Sequence, residues 1–461
     1  MGYTRRPQLH SGQAMTQASP TSAPQEIDLL INAGWILPIV PANTLLEHCA
    51  LAIHGGRIIA LVPQQEAAKR FEPRQTIHLS NHLLMPGLVN AHGHAAMSLL
   101  RGFADDQPLH TWLNDYIWPA EGRWVSEDFV KDGTELAIAE MIRSGTTCFA
   151  DMYFYPEQAA QACAEAHIRA QLAFPILDFP TAWGIGPDEY LHKGLGLHDN
   201  LRGSSLLHVA FGPHAPYTVS DAPLQKIAVL SQEMDMPVHI HLHETAQEVA
   251  ESLDKFGCRP SQRLMDLGLL SPLTQCVHMT QVDEQDIGLL QQSGASVIHC
   301  PESNLKLASG FCPVESLLKA DINVALGTDG AASNNDLDLF SELRSAALLA
   351  KAVAGDAAAL NAHAALRMAT LNGARALGLD EKIGSLEPGK SADVIAIDMG
   401  DLELQPLYNP VSQLVYTHVG QRVSHAWVAG KALLADRQLQ TLNERELLGK
   451  AKWWRKQIAN R

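Results

Sequence analysis

Pro86-Gly87-Leu88-Val89-Asn90-Ala91-His92-Gly93-His94 is a short apolar run that ends in two histidines separated by a single glycine. In an extended strand, residues two apart point to the same side, so His92 and His94 can grip one ion together. Gly93 lets the backbone run close to that ion. The same texture recurs downstream. Apolar runs at 87–91, 146–151, 170–176, 206–211, 238–242, 275–278, 296–299 and 324–327 make eight candidate strands. Between them, stretches such as 134–143, 224–234 and 285–292 carry apolar residues at three- and four-residue spacing, the mark of amphipathic helices. Eight β/α alternations over about 300 residues predict an α/β fold, a (β/α)₈ TIM-type barrel. An open doubly wound sheet would want a Gly-rich phosphate loop after its first strand, and none is present.

In such a barrel the C-terminal ends of the strands converge on one mouth. Here those ends carry His92, His94, Asp151, His214, His241, His278 and Asp329. The run His239-Ile240-His241-Leu242-His243-Glu244 offers a third imidazole, and strand period alone does not choose between His239 and His241. Glu244 follows as the chain leaves the strand. Leu326-Gly327-Thr328-Asp329-Gly330 ends the last strand on a carboxylate. Three imidazoles and one carboxylate suit Zn²⁺, with a position left for water. His239 and His243 read as flanking groups, Asp151 as a helix cap or loop brace, and His299 as wall lining. The fourth strand ends in Phe211-Gly212-Pro213-His214 without a lysine, which favours one metal ion over a bridged pair.

Outside the barrel, Ile27–Ile31, a run at 51–54, a Gly55-Gly56 turn and a run at 57–61 read as strands and a hairpin, and strand-like runs return at 392–398 and 423–429. The expected division is a disordered leader at 1–24, a small β-sandwich module built from 25–84 and 386–440, the metal-dependent barrel at 85–385, and a C-terminal helix at 441–461 docked by Trp453 and Trp454. Residues 1–24 lack the apolar core of a signal peptide, and either Met1 or Met15 could be the native start.

The chain has 461 residues and a formal charge of −16, which argues against nucleic acid and anionic membranes as partners. No apolar run reaches the roughly 18 residues of a membrane span. Seven scattered cysteines without a C-x-x-C pair read as free thiols of a cytoplasmic protein.

These motifs, taken in order, resemble the amidohydrolase superfamily. Pro86–His94 looks like its first-strand signature, and His241-Leu242-His243-Glu244-Thr245 resembles the H-x-x-E segment of its deaminase branch. His299-Cys300-Pro301-Glu302-Ser303-Asn304-Leu305-Lys306-Leu307, Gly327–Gly330 and Glu387-Pro388-Gly389-Lys390-Ser391-Ala392-Asp393 extend the likeness. It is greatest to the 5′-methylthioadenosine/S-adenosylhomocysteine deaminase family and covers about 27–439. The resemblance implies one Zn²⁺ per subunit held by His92, His94, His241 and Asp329, with His278 catalytic. It further implies substrate contacts from Glu121 and His214, a small nucleoside as substrate, and a homo-oligomer.

Hydrolytic deamination of an adenine ring needs a nucleophile at C6 and a proton on N1. Asp329 is expected to accept the water proton, His278 to orient the attacking oxygen, and Glu244 to hand its proton to N1 and then to the departing amine. Glu121 would meet the ribose hydroxyls and His214 a ring nitrogen. Between Arg169 and Arg202 the chain has no arginine and only Lys193 as a permanent cation. A homocysteine carboxylate would lack a bidentate partner there, whereas a methylthio group suits the apolar stretch Phe174–Trp183. The expected preference is therefore 5′-methylthioadenosine over S-adenosylhomocysteine or adenosine. The alternatives are a deaminase or chlorohydrolase of guanine, 8-oxoguanine or s-triazines, and, in another class, a non-catalytic metal-binding barrel.

Overall fold

The computed structural model describes residues 23–459. The expectation for 1–24 therefore falls almost wholly outside the described residues, as does the end of the C-terminal segment. All eight expected barrel strands form: β6 (Leu88–Asn90), β7 (Thr146–Met152), β8 (Arg169–Ile176), β9 (Leu207–Pro213), β10 (Val238–Leu242), β11 (Thr274–His278), β12 (Ser296–His299) and β13 (Val324–Leu326). They pair in sequence order, each parallel to the next. The ring closes where Ala91 N–H donates to the Leu326 carbonyl at 2.9 Å and Asp329 N–H to the His92 carbonyl at 3.1 Å. Closure needs a glycine: a Cβ on Gly327 would stand 2.8 Å from the Cβ of His92. The seam between first and last strand thus brings His92 and Asp329 together.

Parallel strands covered on both faces are buried throughout, and every residue of β8 and β10 is buried. In β10 the alternation sends Val238, Ile240 and Leu242 into the main apolar core, which leaves His239 and His241 for the barrel interior. Helices cover the outside, and some begin on side-chain caps. Ser126 Oγ accepts from Phe129 N–H ahead of Glu127–Arg143, Thr245 Oγ1 accepts from Glu248 N–H ahead of Ala246–Phe256, and Asp283 with Asp286 closes a capping box on Glu284–Ser293.

The remaining strands form the module that both ends were expected to share. β1 (Gln25–Ile36), β2 (Leu46–Glu47), β3 (Cys49–His54), β4 (Arg57–Pro63) and β5 (Phe71–Pro86) precede the barrel, while β14 (Val394–Asp398), β15 (Val423–Val428), β16 (Lys431–Ala435) and β17 (Gln438–Leu439) follow it. Among the described residues they are hydrogen bonded as one continuous nine-stranded mixed sheet, with β5 against β14 joining the two halves. The module expected from both chain ends is thus present, its strands hydrogen bonded in one order and packed around separate apolar clusters. A buried ion pair pins it to the barrel. Arg169, on β8, donates Nε to Asp393 at 2.8 Å and Nη1 to the Ser205 carbonyl at 2.7 Å.

The C-terminal helix Glu444–Ala459 packs on Glu127–Arg143 with only one of its two tryptophans, Trp454, beside ion pairs from Lys450 to Asp132 at 3.0 Å and Glu135 at 2.7 Å. The Trp454 ring lies edge-on to Phe129 and its Nε1 donates to Asp132 at 2.9 Å, whereas Trp453 is 53% exposed. Adjacent helical residues point about 100° apart, so two tryptophans in a row cannot both dock.

Candidate active site and metal centre

Five polar groups from four strand ends meet inside the mouth. The ring nitrogens of His92, His94 and His241 lie within 4.8 Å of one another, and His92, His278 and Asp329 form a second such trio. Asp329 Oδ1 is 3.3 Å from His92 Nε2 and 3.2 Å from His94 Nε2. Each imidazole of the first trio is held by its other nitrogen. His94 Nδ1 lies 2.6 Å from the Met152 carbonyl, His241 Nδ1 2.7 Å from the His214 carbonyl, and His92 Nδ1 2.7 Å from His239 Nε2. A ring tied at Nδ1 turns Nε2 and its lone pair inward, the arrangement of metal-binding histidines. His92 Nε2 is buried and has no hydrogen-bond partner among the described residues, so a cation fits the donor set better than the protein alone does.

The carboxylate is aimed as firmly. Ser303 and Ser333 hydroxyls donate to Asp329 Oδ2 at 2.6 and 2.9 Å, and Gly330 N–H donates to Oδ1 at 2.8 Å. Asp329 takes a φ of 61° and His278 one of 76°, left-handed values that non-glycine residues rarely adopt. The strand-end turns that aim these side chains inward therefore store strain. His278 Nδ1 is 2.9 Å from Asn304 Oδ1, and its Nε2 is 3.8 Å from Glu244 Oε2.

Burial sets the protonation pattern. It drives His92 and His241 well below the ordinary histidine value and His214 down to about 4. It also pulls on His94, but there the Asp329 carboxylate and the Met152 carbonyl outweigh it and raise the group to about 9. For Asp329 burial works upward, and the His92 and His94 imidazoles overcome it to hold the carboxyl well below its usual range. Glu244 is raised, mainly by burial. A carboxylate paired so strongly with imidazoles suits a dication, which replaces the proton between them.

Above the polar cluster stands a pocket whose lining holds His94, His214, His241, Glu244, His278 and Asp329 at one end. Leu109, Trp112, Trp118, Phe154, Leu177 and Phe179 are among its apolar walls, and among the described residues no lysine or arginine lines it. Lys193 is engaged elsewhere, paired with Glu189 at 2.7 Å and with the Trp183 carbonyl. Glu121, on the short helix Trp118–Trp124, lines the pocket too, and burial pushes its carboxyl up to about 7.

All eight residues singled out as metal-binding, catalytic or substrate-binding thus converge on one pocket or its floor. The flanking groups separate from them. Asp151 accepts from Ala95 N–H at 2.7 Å and braces the loop after His94. His243 accepts at Nε2 from Ser261 N–H at 3.0 Å, outside the pocket. His299 is buried but absent from the pocket wall it was expected to line. Sequence reasoning missed the supporting shell: Ser303, Ser333, Asn304, Asn90, which joins Thr328 across the seam at 2.7 Å, and Tyr153, whose hydroxyl donates to Glu121 at 2.6 Å. Three of these were signalled, since Ser303 and Asn304 sit in the 299–307 motif and Asn90 in the first.

The profile of the amidohydrolase family matches residues 83–433. The chain belongs to the amidohydrolase family. The 5-methylthioadenosine/S-adenosylhomocysteine deaminase of Teredinibacter turnerae is 60% identical over 432 residues, 94% of this chain and 98% of that protein. The one from Saccharophagus degradans is 61% identical over 94% of this chain and 97% of its own length. Among solved structures, an adenosine deaminase from Xanthomonas campestris with bound zinc is 50% identical, with a TM-score of 0.94 over 95% of this chain and 100% of that one. This amidohydrolase is accordingly a hydrolase of carbon–nitrogen bonds, of the type that deaminates cyclic amidines.

Proposed function

We propose that the chain deaminates adenosine-type nucleosides hydrolytically, with 5′-methylthioadenosine preferred and S-adenosylhomocysteine or adenosine as weaker substrates. The observation that carries this reading is the two-part pocket. Proton-handling groups crowd one end, and an aromatic and aliphatic wall, without lysine or arginine among the described residues, forms the other. A methylthio group buries well against such a wall, while a homocysteine carboxylate would lose water there without gaining a guanidinium partner.

His92, His94, His241 and Asp329 would hold one Zn²⁺, which when bound would supply the Lewis acidity that hydrolysis needs near neutral pH. The remaining work falls to the chain's own side chains. Asp329 takes a proton from the attacking water, and His278 orients its oxygen toward C6. Glu244, raised by burial, enters as the acid and donates to N1. The C6–O bond forms, and Glu244 takes the proton of the new C6 hydroxyl and hands it to the exocyclic amine. The C6–N bond breaks as the C6 carbonyl forms, and the proton held by Asp329 restores Glu244, so that one water is consumed and one ammonia leaves. Glu121, its carboxylate oriented by the Tyr153 hydroxyl, accepts from the ribose hydroxyls, and His214 meets a ring nitrogen.

The expected division of the chain, with the barrel at 85–385 carrying the site and the module at 25–84 and 386–440 bracing it, belongs to the same proposal. So does a cytoplasmic homo-oligomer, supported by seven free thiols and by the family resemblance. Among the described residues no helix is long and apolar enough to cross a membrane. Comparing kcat/KM for the two nucleosides by ultraviolet absorbance tests the reading. At least a tenfold preference for 5′-methylthioadenosine is expected, and a preference for S-adenosylhomocysteine would overturn it.

A further inference from the structure

His94 and His241 hand their Nδ1 protons to main-chain carbonyls, but His92 does not. Its Nδ1 meets His239 Nε2 at 2.7 Å, with the two rings only 19° from parallel. His239 Nδ1 in turn lies 2.6 Å from Gln275 Oε1. Gln275 Nε2 donates to the Ala376 carbonyl at 2.8 Å, and the amides of Gln275 and Gln171 exchange bonds at 2.8 and 3.1 Å. His92, His239, Gln275 and Gln171 are at most 1% exposed.

The direction of every proton in this chain follows from its far end. A carbonyl can only accept, so Ala376 fixes the NH₂ of Gln275 toward itself and leaves Oε1 as the acceptor facing His239. His239 must then carry its proton on Nδ1 and accept on Nε2. His92 must carry its own on Nδ1, which leaves a lone pair on Nε2 beside Asp329. That is the only tautomer in which His92 can ligate a cation.

We infer that His239 and Gln275 are positioning residues of the metal centre, a buried relay that locks His92 into its ligating tautomer from the floor of the barrel. Sequence spacing gave His239 and His241 equal claim as ligands. The geometry assigns His241 to the mouth and His239 to the layer below, where its nitrogen reaches a ligand instead of the ion. A neutral relay also adds electron density to the His92 ring through the shared proton, which strengthens its hold on a cation.

The inference rests on the zinc reading of the site and is independent of which nucleoside is turned over. Its test is zinc affinity by chelator competition, measured on the full chain, together with the thermal midpoint of the metal-stripped protein. His239→Met keeps the volume and removes the acceptor, so zinc affinity is expected to fall 10- to 100-fold. His239→Gln presents an amide oxygen near the position of Nε2 and is expected to stay within about threefold of the parent. Gln275→Leu, two steps from the ion, should weaken binding less than His239→Met, and it carries the test if His239→Met does not fold. Parent-like affinity in His239→Met, or in Gln275→Leu when that variant stands in, overturns the relay. So does an equal loss in His239→Met and His239→Gln with unchanged metal-free midpoints, because shape alone would then explain it. A parent protein that binds no zinc would instead sink the reading of the site itself.

Discussion

Glu244 separates proton handling from metal holding. It sits three residues past His241, its carboxyl is raised by burial, and it reaches His278 rather than the first histidine trio. Replacing it by Gln removes the proton donor and leaves the ligands in place. Turnover of Glu244→Gln is expected to fall by about 10²–10⁴ with zinc content unchanged, read by ammonia release and metal analysis on the same sample. Near-normal kcat would remove Glu244 from the mechanism. His92→Ala makes the opposite case and is expected to lose zinc as well as activity. At this scale the ligands were legible because strand ends of a barrel are few and polar residues stand out there. Their partners were not. Ser303 lies inside the 299–307 motif and Ser333 only four residues past Asp329, but neither stretch announces the hydrogen bond itself.

Among the elements, the strands were the easiest to read, since parallel strands covered on both sides are short unbroken apolar runs. The segment over the pocket was read only at Glu121. Residues Leu109–Trp124 pass through a stretch of π-helix at Trp112–Ile117, and Leu109, Trp112, Leu113, Ile117 and Trp118 line the pocket. The helix Leu339–Ala354 carries a separate expectation. Its N-cap, Asp338, accepts from Phe340 N–H at 3.0 Å and has its carboxyl pushed up to about 7, chiefly by burial and also by Asp336 and Glu302. The folded chain therefore keeps a proton that the unfolded chain, with an ordinary value of 3.8, has already lost. As pH rises from about 4 to about 7 this group subtracts stability, and above that its effect is constant. Asp338→Asn keeps a capping oxygen and cannot ionise. Urea midpoints at pH 5 and pH 8 are expected to differ less in Asp338→Asn than in the parent, and equal differences would refute the assignment.

For the whole molecule, the sheet and the barrel are joined where Arg169 meets Asp393, side chains only 2–3% exposed. Asp393 ends the 387–393 motif and also accepts from Ala429 N–H at 2.8 Å, so it ties β8, β15 and the chain entering β14 to one point. Arg169→Met would leave a buried carboxylate unpaired and is expected to cost about 3–5 kcal/mol in urea unfolding, with zinc affinity unchanged in the folded state. A loss under about 1 kcal/mol would mean the junction is held by packing alone. The sequence announced this module from its strand runs at both ends, but not its strand order, because the β5–β14 pairing joins residues some 300 apart and leaves no local pattern.

All three scales depend on one divalent ion gripped by groups from the first, fifth and last barrel strands. Stepwise addition of Zn²⁺ to chelator-stripped protein, with ammonia release from 5′-methylthioadenosine as the readout, tests this most directly. Activity should be absent without metal and rise linearly to a plateau at one equivalent per chain. Full turnover by the stripped protein, or a plateau at two equivalents, would contradict it.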